Sequence, residues 1–495
     1  MRSHTFGKLG HIAIFCLATG LVSHAQTFTT LMQLNGTNGG WATSALVQGA
    51  NGNLWGATES FGKYGFGTLF EIAPRGQLTD VHDFCSPTSC TEGTNPNAPL
   101  LLASDGNLYG TTNGGPGDTT GGTIFKITAS GQIVTMYTFC SQANCTDGIG
   151  PGALIQGRNG ALYGTTAAGG TAGPNCFIGS CGTIFEITLT GAFTTLYNFC
   201  SQANCADGYA PNSLALGTDG NFYGTASQGG TNNTGTFFGM NSSGQVTVLH
   251  QFDQANDGFV PNGVVQGNDG NFYGTTRGGG PFANSGVVFQ MTRQGQITVL
   301  HPFCSLTNCA DGQLPASALL LGSDGNFYGT TVSGGANQNC GASHGCGTVF
   351  EVTPAGQFTT LYSFCSQTGC PDGSAPITPL AQRTDGSFYG TTISGGAQGT
   401  CFGSGCGTVF NVSTGLPSFV SLSPALGKVG YSIRILGSSL KGTTAVTFNG
   451  VPASVTVISS TQIKAIVPAG ATTGTIQVTT PIGTLNSNVA FQVLP

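Results

Sequence analysis

Charge is the scarcest property of this 495-residue sequence, because only 6% of its residues are Asp, Glu, Lys or Arg. So few charges exclude a nucleic-acid-binding surface, which requires clustered Lys and Arg. The net charge of -6 is also too small to imply a polyanion or a charged membrane surface as partner. We expect a monomer that has no nucleic-acid partner.

Long apolar runs are equally rare, and the one near the N-terminus is typical of an export signal. Arg2 and Lys8 precede the apolar stretch 12–22, and "SHA" at 23–25 places small residues at the cleavage positions. The stretch is too short to span a membrane as a helix. We predict a signal peptide at 1–25, no transmembrane segment in the mature chain, and a secreted or cell-surface bacterial protein.

Cysteine is common, and its spacing indicates disulfides. Without Cys16, sixteen cysteines remain in eight close pairs, and both members of a pair are present or absent together in sibling stretches. Exported chains meet oxidising conditions, which favours disulfides. Zinc sites prefer about two to four residues between cysteines and need further ligands nearby, so we predict no metal here. The predicted disulfides are Cys85–Cys90, Cys140–Cys145, Cys176–Cys181, Cys200–Cys205, Cys304–Cys309, Cys340–Cys346, Cys365–Cys370 and Cys401–Cys406.

Glycine is in large excess, with 82 residues, and much of it belongs to the repeated motif "DGNFYGTT". The first glycine of the motif is at Gly52, Gly106, Gly160, Gly220, Gly270, Gly325 and Gly386. Each of the seven repeats, roughly 55 residues long, holds four short β-branched and aromatic stretches separated by turn signals such as Asp-Gly. We predict an all-β fold in which 26–415 form a seven-bladed β-propeller, with a β-solenoid as the alternative.

The two ends of the repeat region predict how a ring would close. "TFTTLMQL" at 27–34 matches the first strand of the last repeat, "QFTTLYSF" at 357–364, and the last repeat strand is "TVFNVS" at 408–413. We predict that 27–34 pairs beside 408–413, which would hide two sheet edges. Because connections in a meander alternate between two faces, all the disulfides should lie on one face, and such loop faces commonly bind ligands.

A recurrent acidic residue before a glycine belongs to the loops of this predicted face. Such carboxylates could bind Ca²⁺ or a hydroxyl-rich or cationic ligand, or the acid could simply make the turn that leaves the loop. The candidate contacts are Glu92, Asp147, Asp207, Asp257, Asp311 and Asp372. One repeat has Asp253, Asn256 and Asp257 where its siblings have cysteines, a weak candidate for a Ca²⁺ site. We predict no other cofactor.

Catalytic signals are weak. His82, His250 and His301 occupy a strand position that tyrosine holds in sibling repeats, which favours a strand role over acid–base chemistry. "GASHG" at 341–345 matches the G-x-S-x-G pattern of a nucleophile elbow, but it lacks the strand-turn-helix setting that such an elbow requires. We predict no catalytic residue and favour a protein that is not an enzyme.

The composition changes after Gly415, where cysteine disappears and short alternating strands replace the repeat. "SLSPALGKVG", "TFNGVPA" and "IKAIVPAGATTGTIQVTTPIG" resemble the IPT/TIG family across 417–494. The resemblance implies an Ig-like β-sandwich for 416–495 that acts as a spacer or interaction module. The repeats, through "DGNFYGTTxxGG…GTVFEIT" at about 27–413, resemble the GloVer tandem-repeat family of bacterial exported proteins, from which no activity follows.

Three functions are open on this evidence, one of which is a purely structural role such as an envelope or matrix component. The first is a binding protein that presents the disulfide-bearing face to an extracellular glycan or protein. The alternative is an extracellular carbohydrate-active hydrolase or lyase, which needs two carboxylates about 5–10 Å apart. Two acids meeting at a central channel would favour the enzyme, whereas acids held in separate turns would favour binding.

Overall fold

The computed structural model describes residues 26–495 except 75, 87–89, 118, 129, 172–180, 283, 338–344, 398–400 and 402–404. The expected signal peptide and most of "GASHG" lie outside this part of the chain. The described part is all-β, as predicted, and its helical segments are single 3-10 turns at Ala143–Cys145, Ala203–Cys205 and Thr307–Cys309. Within it, no helix has the length and hydropathy needed to cross a membrane.

Seven antiparallel sheets follow one another along the described repeat region, and we number them in chain order. The first strand, β1 (Thr27–Gln33), belongs to the last sheet. Sheet 1 contains β2 (Val47–Gln48), β3 (Leu54–Thr58), β4 (Thr68–Ile72) and β5 (Leu78–Asp83). Sheet 2 contains β6 (Leu101–Leu102), β7 (Leu108–Gly115), β8 (Thr119–Ile127) and β9 (Ile133–Thr138). Sheet 3 contains β10 (Ile149–Pro151), β11 (Ile155–Gln156), β12 (Leu162–Ala168), β13 (Thr183–Ile187) and β14 (Phe193–Asn198).

The remaining sheets repeat this strand order. Sheet 4 contains β15 (Tyr209–Leu216), β16 (Phe222–Gln228), β17 (Thr236–Met240) and β18 (Val246–Gln251). Sheet 5 contains β19 (Phe259–Gln266), β20 (Phe272–Gly278), β21 (Val287–Met291) and β22 (Ile297–Pro302). Sheet 6 contains β23 (Gln313–Pro315), β24 (Leu320–Leu321), β25 (Phe327–Ser333), β26 (Thr348–Val352) and β27 (Phe358–Ser363). Sheet 7 contains β28 (Ala381–Gln382), β29 (Phe388–Thr391), β30 (Thr408–Ser413) and β1.

A glycine in the strand that carries the repeated motif makes room for a phenylalanine of the next strand. A Cβ at Gly274 would lie 2.6 Å from the ring of Phe289, and a Cβ at Gly224 would lie 2.7 Å from the ring of Phe238. Glycine inside a strand usually weakens packing, unless another group approaches the backbone closely. The glycine of "YGT" is therefore required by the aromatic core of each sheet.

The N-terminal strand completes the last sheet. β1 pairs antiparallel with β30, from Thr27 opposite Ser413 to Gln33 opposite Thr408. The ring of Phe28 stacks on Tyr362 of sheet 6, with ring centroids 3.6 Å apart. The predicted pairing of the chain's first strand with the last strand of the repeats is confirmed.

Similar hydrogen bonds join each sheet to the next. In sheets 2 to 7 a threonine of the motif donates from Oγ1 to a backbone carbonyl in the segment that begins the following sheet, as in Thr225 to Asn262 at 2.8 Å. Sheet 1 has Ala57 at this position, and Ser44 Oγ donates to Ala98 O at 3.0 Å instead. Sheet 7 makes the same contact with sheet 1, where Thr391 Oγ1 donates to Ala42 O at 2.8 Å. The repeat region is therefore propeller-like, with its last sheet against its first.

The C-terminal region forms a separate sandwich. One sheet contains β31 (Ser421–Ser423), β33 (Ser432–Leu436), β36 (Val455–Val457) and β37 (Gln462–Ile466). The other contains β34 (Ala445–Phe448), β35 (Val451–Pro452), β38 (Ile476–Thr480) and β39 (Gly483–Asn486), and β32 (Leu426–Lys428) pairs in parallel with β40 (Gln492–Leu494). Alternate apolar residues such as Ile433, Ile435, Val446 and Val478 are buried between the sheets, as in Ig-like domains.

Candidate functional site

The connections between strands define two faces of the repeat region. In sheet 4, the short turns 217–221 and 241–245 lie at one end, which we call the turn face. The longer loops 229–235 and 252–258 lie at the opposite end, which we call the disulfide face. Because the other sheets share this strand order, their equivalent connections fall on the same two faces.

Six of the eight predicted disulfides have both cysteines in the described residues, and all six are formed. They are Cys85–Cys90, Cys140–Cys145, Cys200–Cys205, Cys304–Cys309, Cys365–Cys370 and Cys401–Cys406. The other two pairs include Cys176 and Cys340, which lie outside the described residues. The six disulfides belong to loops of the disulfide face, which confirms the one-sided placement for this part of the chain.

Three sulfur atoms come close enough together to suggest a metal site. Those of Cys346, Cys365 and Cys370 lie within 4.8 Å of one another. Metal-binding cysteines are thiolates, whereas Cys365 and Cys370 are joined to each other. The cluster is therefore better explained by packing of disulfide loops than by metal coordination.

The recurrent acid of each loop is buried and binds groups of its own loop. Asp207 is fully buried and accepts hydrogen bonds from Tyr197 Oη at 2.8 Å, Ser201 N at 3.0 Å and Ser201 Oγ at 2.9 Å. Tyr137 and Tyr362 donate in the same way to Asp147 and Asp372. Each carboxylate therefore ties the outer strand of a sheet to the loop that follows it.

In three of the six loops, histidine replaces tyrosine as the residue that contacts the acid. His82, His250 and His301 lie 3.1, 2.9 and 3.0 Å from carboxylate oxygens of Glu92, Asp257 and Asp311. Burial raises the pKa of Asp311, but the hydrogen bonds from His301 and Ser305 outweigh it, so the net pKa lies below its usual value.

Tyrosine in the same position stays protonated at physiological pH. Burial is the main reason that the pKa of Tyr197 rises to about 12, and the hydrogen bond to Asp207 adds to it. Either residue type can therefore donate a hydrogen bond to the buried carboxylate of its loop.

Sequence reasoning missed these pairs, although the sequence contains their signal. The tyrosine or histidine precedes the acid by ten residues in five loops, as in Tyr137 and Asp147. The exception is His250 and Asp257, which are seven residues apart, because this loop has no disulfide. A donor and an acid kept at constant spacing indicate a pair within one loop.

The structure places the six acids in six different loops. Each binds its own loop, which is the arrangement that we expected of a binding protein rather than an enzyme. In the Ca²⁺ candidate, Asp253 Oδ1 accepts from the backbone N–H groups of Ala255 and Asn256, and Asp257 Oδ1 accepts from Asp253 N. Ligand contact by the six acids and Ca²⁺ binding at Asp253, Asn256 and Asp257 stay predictions.

An aromatic pair that the sequence did not reveal lies on the disulfide face. Trp41 is 36% exposed, and its ring meets that of Phe61 edge to face, with centroids 5.5 Å apart. Both residues have positive φ, 56° and 67°, a region that bulky residues rarely adopt. The pair joins the segment before sheet 1 to the loop between β3 and β4.

The repeat fold determines the backbone conformation of Trp41 but does not require a tryptophan side chain there. Its N–H donates to Cys406 O of the preceding sheet, as Ala210 and Ala375 donate to Cys181 O and Cys346 O. The equivalent residues, all with positive φ, are Asn95, Gly150, Ala210, Val260, Leu314 and Ala375. Since small or aliphatic residues satisfy this position in the other sheets, the indole of Trp41 is not required by the repeat.

Comparison with known families gives the class of protein that this fold defines. The repeat region matches the Gloeobacter/Verrucomicrobia repeat at 20–211, 137–342 and 308–424, and the C-terminal region matches the IPT/TIG domain at 417–493. These two matches define the class as an all-β repeat protein with an Ig-like C-terminal domain. The chain belongs to the Gloeobacter/Verrucomicrobia repeat family, which confirms both resemblances seen in the sequence. No curated protein matches it.

Solved structures show the same kind of fold at low identity. The extracellular domain of a proposed hybrid two component system, BT3049 from B. thetaiotaomicron, is 13% identical, with a TM-score of 0.50 over 94% of this chain and 57% of that one. A proposed 6-phosphogluconolactonase from Bacteroides fragilis NCTC 9343 is 14% identical, with a TM-score of 0.43 over 68% of this chain and 86% of that one. The first comparison supports a common fold and nothing further.

The Asp311 pair predicts a specific response to acid. Because the pKa of folded Asp311 is depressed, its contribution to stability is present above the unfolded pKa and is lost as pH falls through the folded pKa. We expect His301→Phe to lower the free energy of unfolding by about 1–2 kcal/mol at pH 7, with the difference from wild type shrinking below about pH 4. Urea unfolding at several pH values measures this.

A matched variant separates the hydrogen bond from the packing of the ring. His301→Tyr restores the donor used in sibling loops, so we expect near wild-type stability at pH 7. Equal losses in the phenylalanine and tyrosine variants would contradict a stabilising hydrogen bond to Asp311, because both rings can still stack on Phe358 as His301 does, at 3.7 Å between centroids.

Proposed function

We propose that this protein is an exported, closed seven-bladed β-propeller that binds an extracellular glycan or protein through its disulfide face. The contact between Thr391 of sheet 7 and Ala42 before sheet 1 supports closure of the ring. Six disulfides support an oxidising compartment, because such bonds are rare where thiols are kept reduced.

The observation that carries the binding proposal is the exposed ring of Trp41, which packs edge to face on the half-buried ring of Phe61. Exposed tryptophan is typical of binding hot spots, because a large rigid ring gives contact area at low entropic cost. Its backbone is held by the bond to Cys406 O and by a neighbouring disulfide, Cys401–Cys406. The ring is therefore presented on a rigid support, which lowers the cost of ordering it on binding.

The test is Trp41→Ala in the full chain, screened on a glycan array and against extracellular proteins of the producing bacterium. Alanine already occupies this position in the repeats at Ala210 and Ala375, so the free energy of unfolding should change by less than about 1 kcal/mol. Loss of a hot-spot tryptophan should weaken binding by about 30-fold, or about 2 kcal/mol. Isothermal titration calorimetry with the array hits measures the change.

The control is Leu306→Ala, which removes another exposed side chain (57%) from the same face. Wild-type affinity of Trp41→Ala, or equal loss in both variants, would contradict the proposed contact. Turnover of a bound glycan by the wild-type chain would instead favour the carbohydrate-active enzyme. The direct role of the six loop acids in ligand contact can be examined with the same ligands.

A further inference from the structure

A cavity of about 1220 Å³ lies between the inner ends of the seven sheets and the C-terminal domain. Each sheet contributes to its wall through the segment before its repeated motif, for example Gly152, Ser317 and Pro379. The C-terminal domain contributes Ala425, Thr473 and Gln492 among others. The cavity thus has walls from both parts of the chain, the usual setting of a ligand site.

The C-terminal domain is fixed to the turn face beside this cavity. Thr461 Oγ1 donates to Ala50 O at 3.0 Å, and Ser423 Oγ donates to Leu102 O at 3.2 Å. Arg158 of sheet 3 donates from Nη2 to Gln492 Oε1 at 3.0 Å. These contacts with sheets 1, 2 and 3 make the domain part of the cavity wall, which is more than a spacer would provide.

Three asparagines give the wall its chemical character. Both amide hydrogens of Asn262 are used, because Nδ2 donates to Thr275 Oγ1 at 2.8 Å and to Pro315 O at 3.0 Å. Asn212 Nδ2 likewise donates to Pro261 O at 2.5 Å. The part of each amide left for another molecule is mainly its oxygen, which can only accept hydrogen bonds.

Asn97 has a side-chain oxygen that lacks a partner. The residue lines the cavity, and its Oδ1 atom is buried without a hydrogen-bond partner among the described residues, so the amide must turn toward the cavity before that oxygen can accept a hydrogen bond from a ligand. Leaving a buried acceptor unpaired costs free energy, so each such group calls for an explanation such as an absent ligand. Thr43 Oγ1, also in the wall, is buried without a partner in the described chain as well.

We propose that this cavity binds the uncharged, polyhydroxylated end of a neutral glycan, with Asn97, Asn212 and Asn262 accepting hydrogen bonds from sugar hydroxyls. A cationic ligand is disfavoured, because Arg158 lines the cavity and none of the lining residues that the structure describes is Asp or Glu. The inference rests on the closed ring and extracellular glycan of the proposed function, but it does not depend on the disulfide face.

The test is Asn97→Leu in the full chain. A structural role for Asn97 would make this variant less stable, whereas loss of an unpaired buried acceptor should leave the unfolding midpoint unchanged or higher. The probes are arrayed neutral oligosaccharides of hexoses and N-acetylhexosamines, with sialylated and sulfated glycans for comparison. We expect neutral hits for the wild type and at least 10-fold weaker binding by Asn97→Leu.

A second variant, Ala490→Trp, narrows the cavity from the C-terminal domain without changing the repeats, and it should lose the same ligands. Trp41→Ala should retain the hits that Asn97→Leu loses and weaken only the hits that Asn97→Leu retains, which separates this site from the disulfide face. Wild-type affinity in both cavity variants, binding of charged glycans alone, or no neutral glycan bound at all would overturn the proposal. Loss of all the hits in Trp41→Ala with retention of all of them in Asn97→Leu would overturn this site and support the one on the disulfide face.

Discussion

Gly182→Ala is expected to destabilise the protein by at least about 4 kcal/mol, whereas Gly160→Ala should cost only about 1–2 kcal/mol. The two glycines have nearly the same positive φ, 82° and 83°. A Cβ at Gly160 would meet no atom within 4 Å, whereas a Cβ at Gly182 would overlap the carbonyl oxygen of Thr166 and lie 2.6 Å from Pro211 Cδ. The difference therefore measures how closely the loop before β13 packs on β12 of its own sheet and on Pro211 of the next sheet.

Urea unfolding of both variants measures this prediction, with far-UV circular dichroism to confirm the fold. The same close approach recurs before the third strand of the other sheets, at Gly67, Gly122, Gly235, Gly286, Gly347 and Gly407. Gly286→Ala, next to the carbonyl of Thr276, should therefore reproduce the large loss. Equal losses of stability at Gly160 and Gly182 would show that the backbone conformation of the glycine, rather than close packing around it, determines the loss.

Removal of β1 is expected to expose the edge of the last sheet and to make unfolding less cooperative. A chain that begins at Leu34 lacks every partner of β30 on that side, so the edge Thr408–Ser413 becomes exposed to solvent and to other chains. We expect the amides of β30 to lose protection from hydrogen exchange and the protein to associate at micromolar concentration. Hydrogen-exchange mass spectrometry and light scattering measure the two effects.

A point variant tests the same closure without removing backbone. Phe28 contacts Tyr362, Phe364 and Phe410, so Phe28→Ala should cost about 3 kcal/mol. Thr29→Ala, on the exposed side of the same strand, should change stability by less than about 0.5 kcal/mol. Normal cooperativity and full protection of β30 in the chain without β1 would contradict a closing role.

Local sequence signals predicted much of the fold. Asp-Gly turns and the recurring "YGTT" marked the strands, and the match between 27–34 and 357–364 predicted the pairing of β1 with β30. Cysteine spacing predicted the six disulfides that the described residues contain. These features could be predicted from the sequence because each depends on residues that are close in sequence or on similarity between repeats.

Most functional features depended on contacts that no local pattern shows. The exception is the donor of each loop acid, such as Tyr197 for Asp207, which the nearly constant spacing between donor and acid could have revealed. The exposure of Trp41 depends on the loop that contains Phe61, and the unpaired oxygen of Asn97 depends on the packing of the whole ring. Likewise, contact between Thr461 and Ala50 joins residues that are far apart in the chain.

The pairing of β1 with β30 also has a consequence for biogenesis. Because β1 precedes every other strand of the repeats, it cannot find its partner until the last repeat has been made, and such distant pairing is slow to form. Thr27–Gln33 must therefore stay unpaired and soluble while the other repeats fold. The order of synthesis and the order of folding are reversed at this strand, so a segment made before the other repeats is incorporated after them.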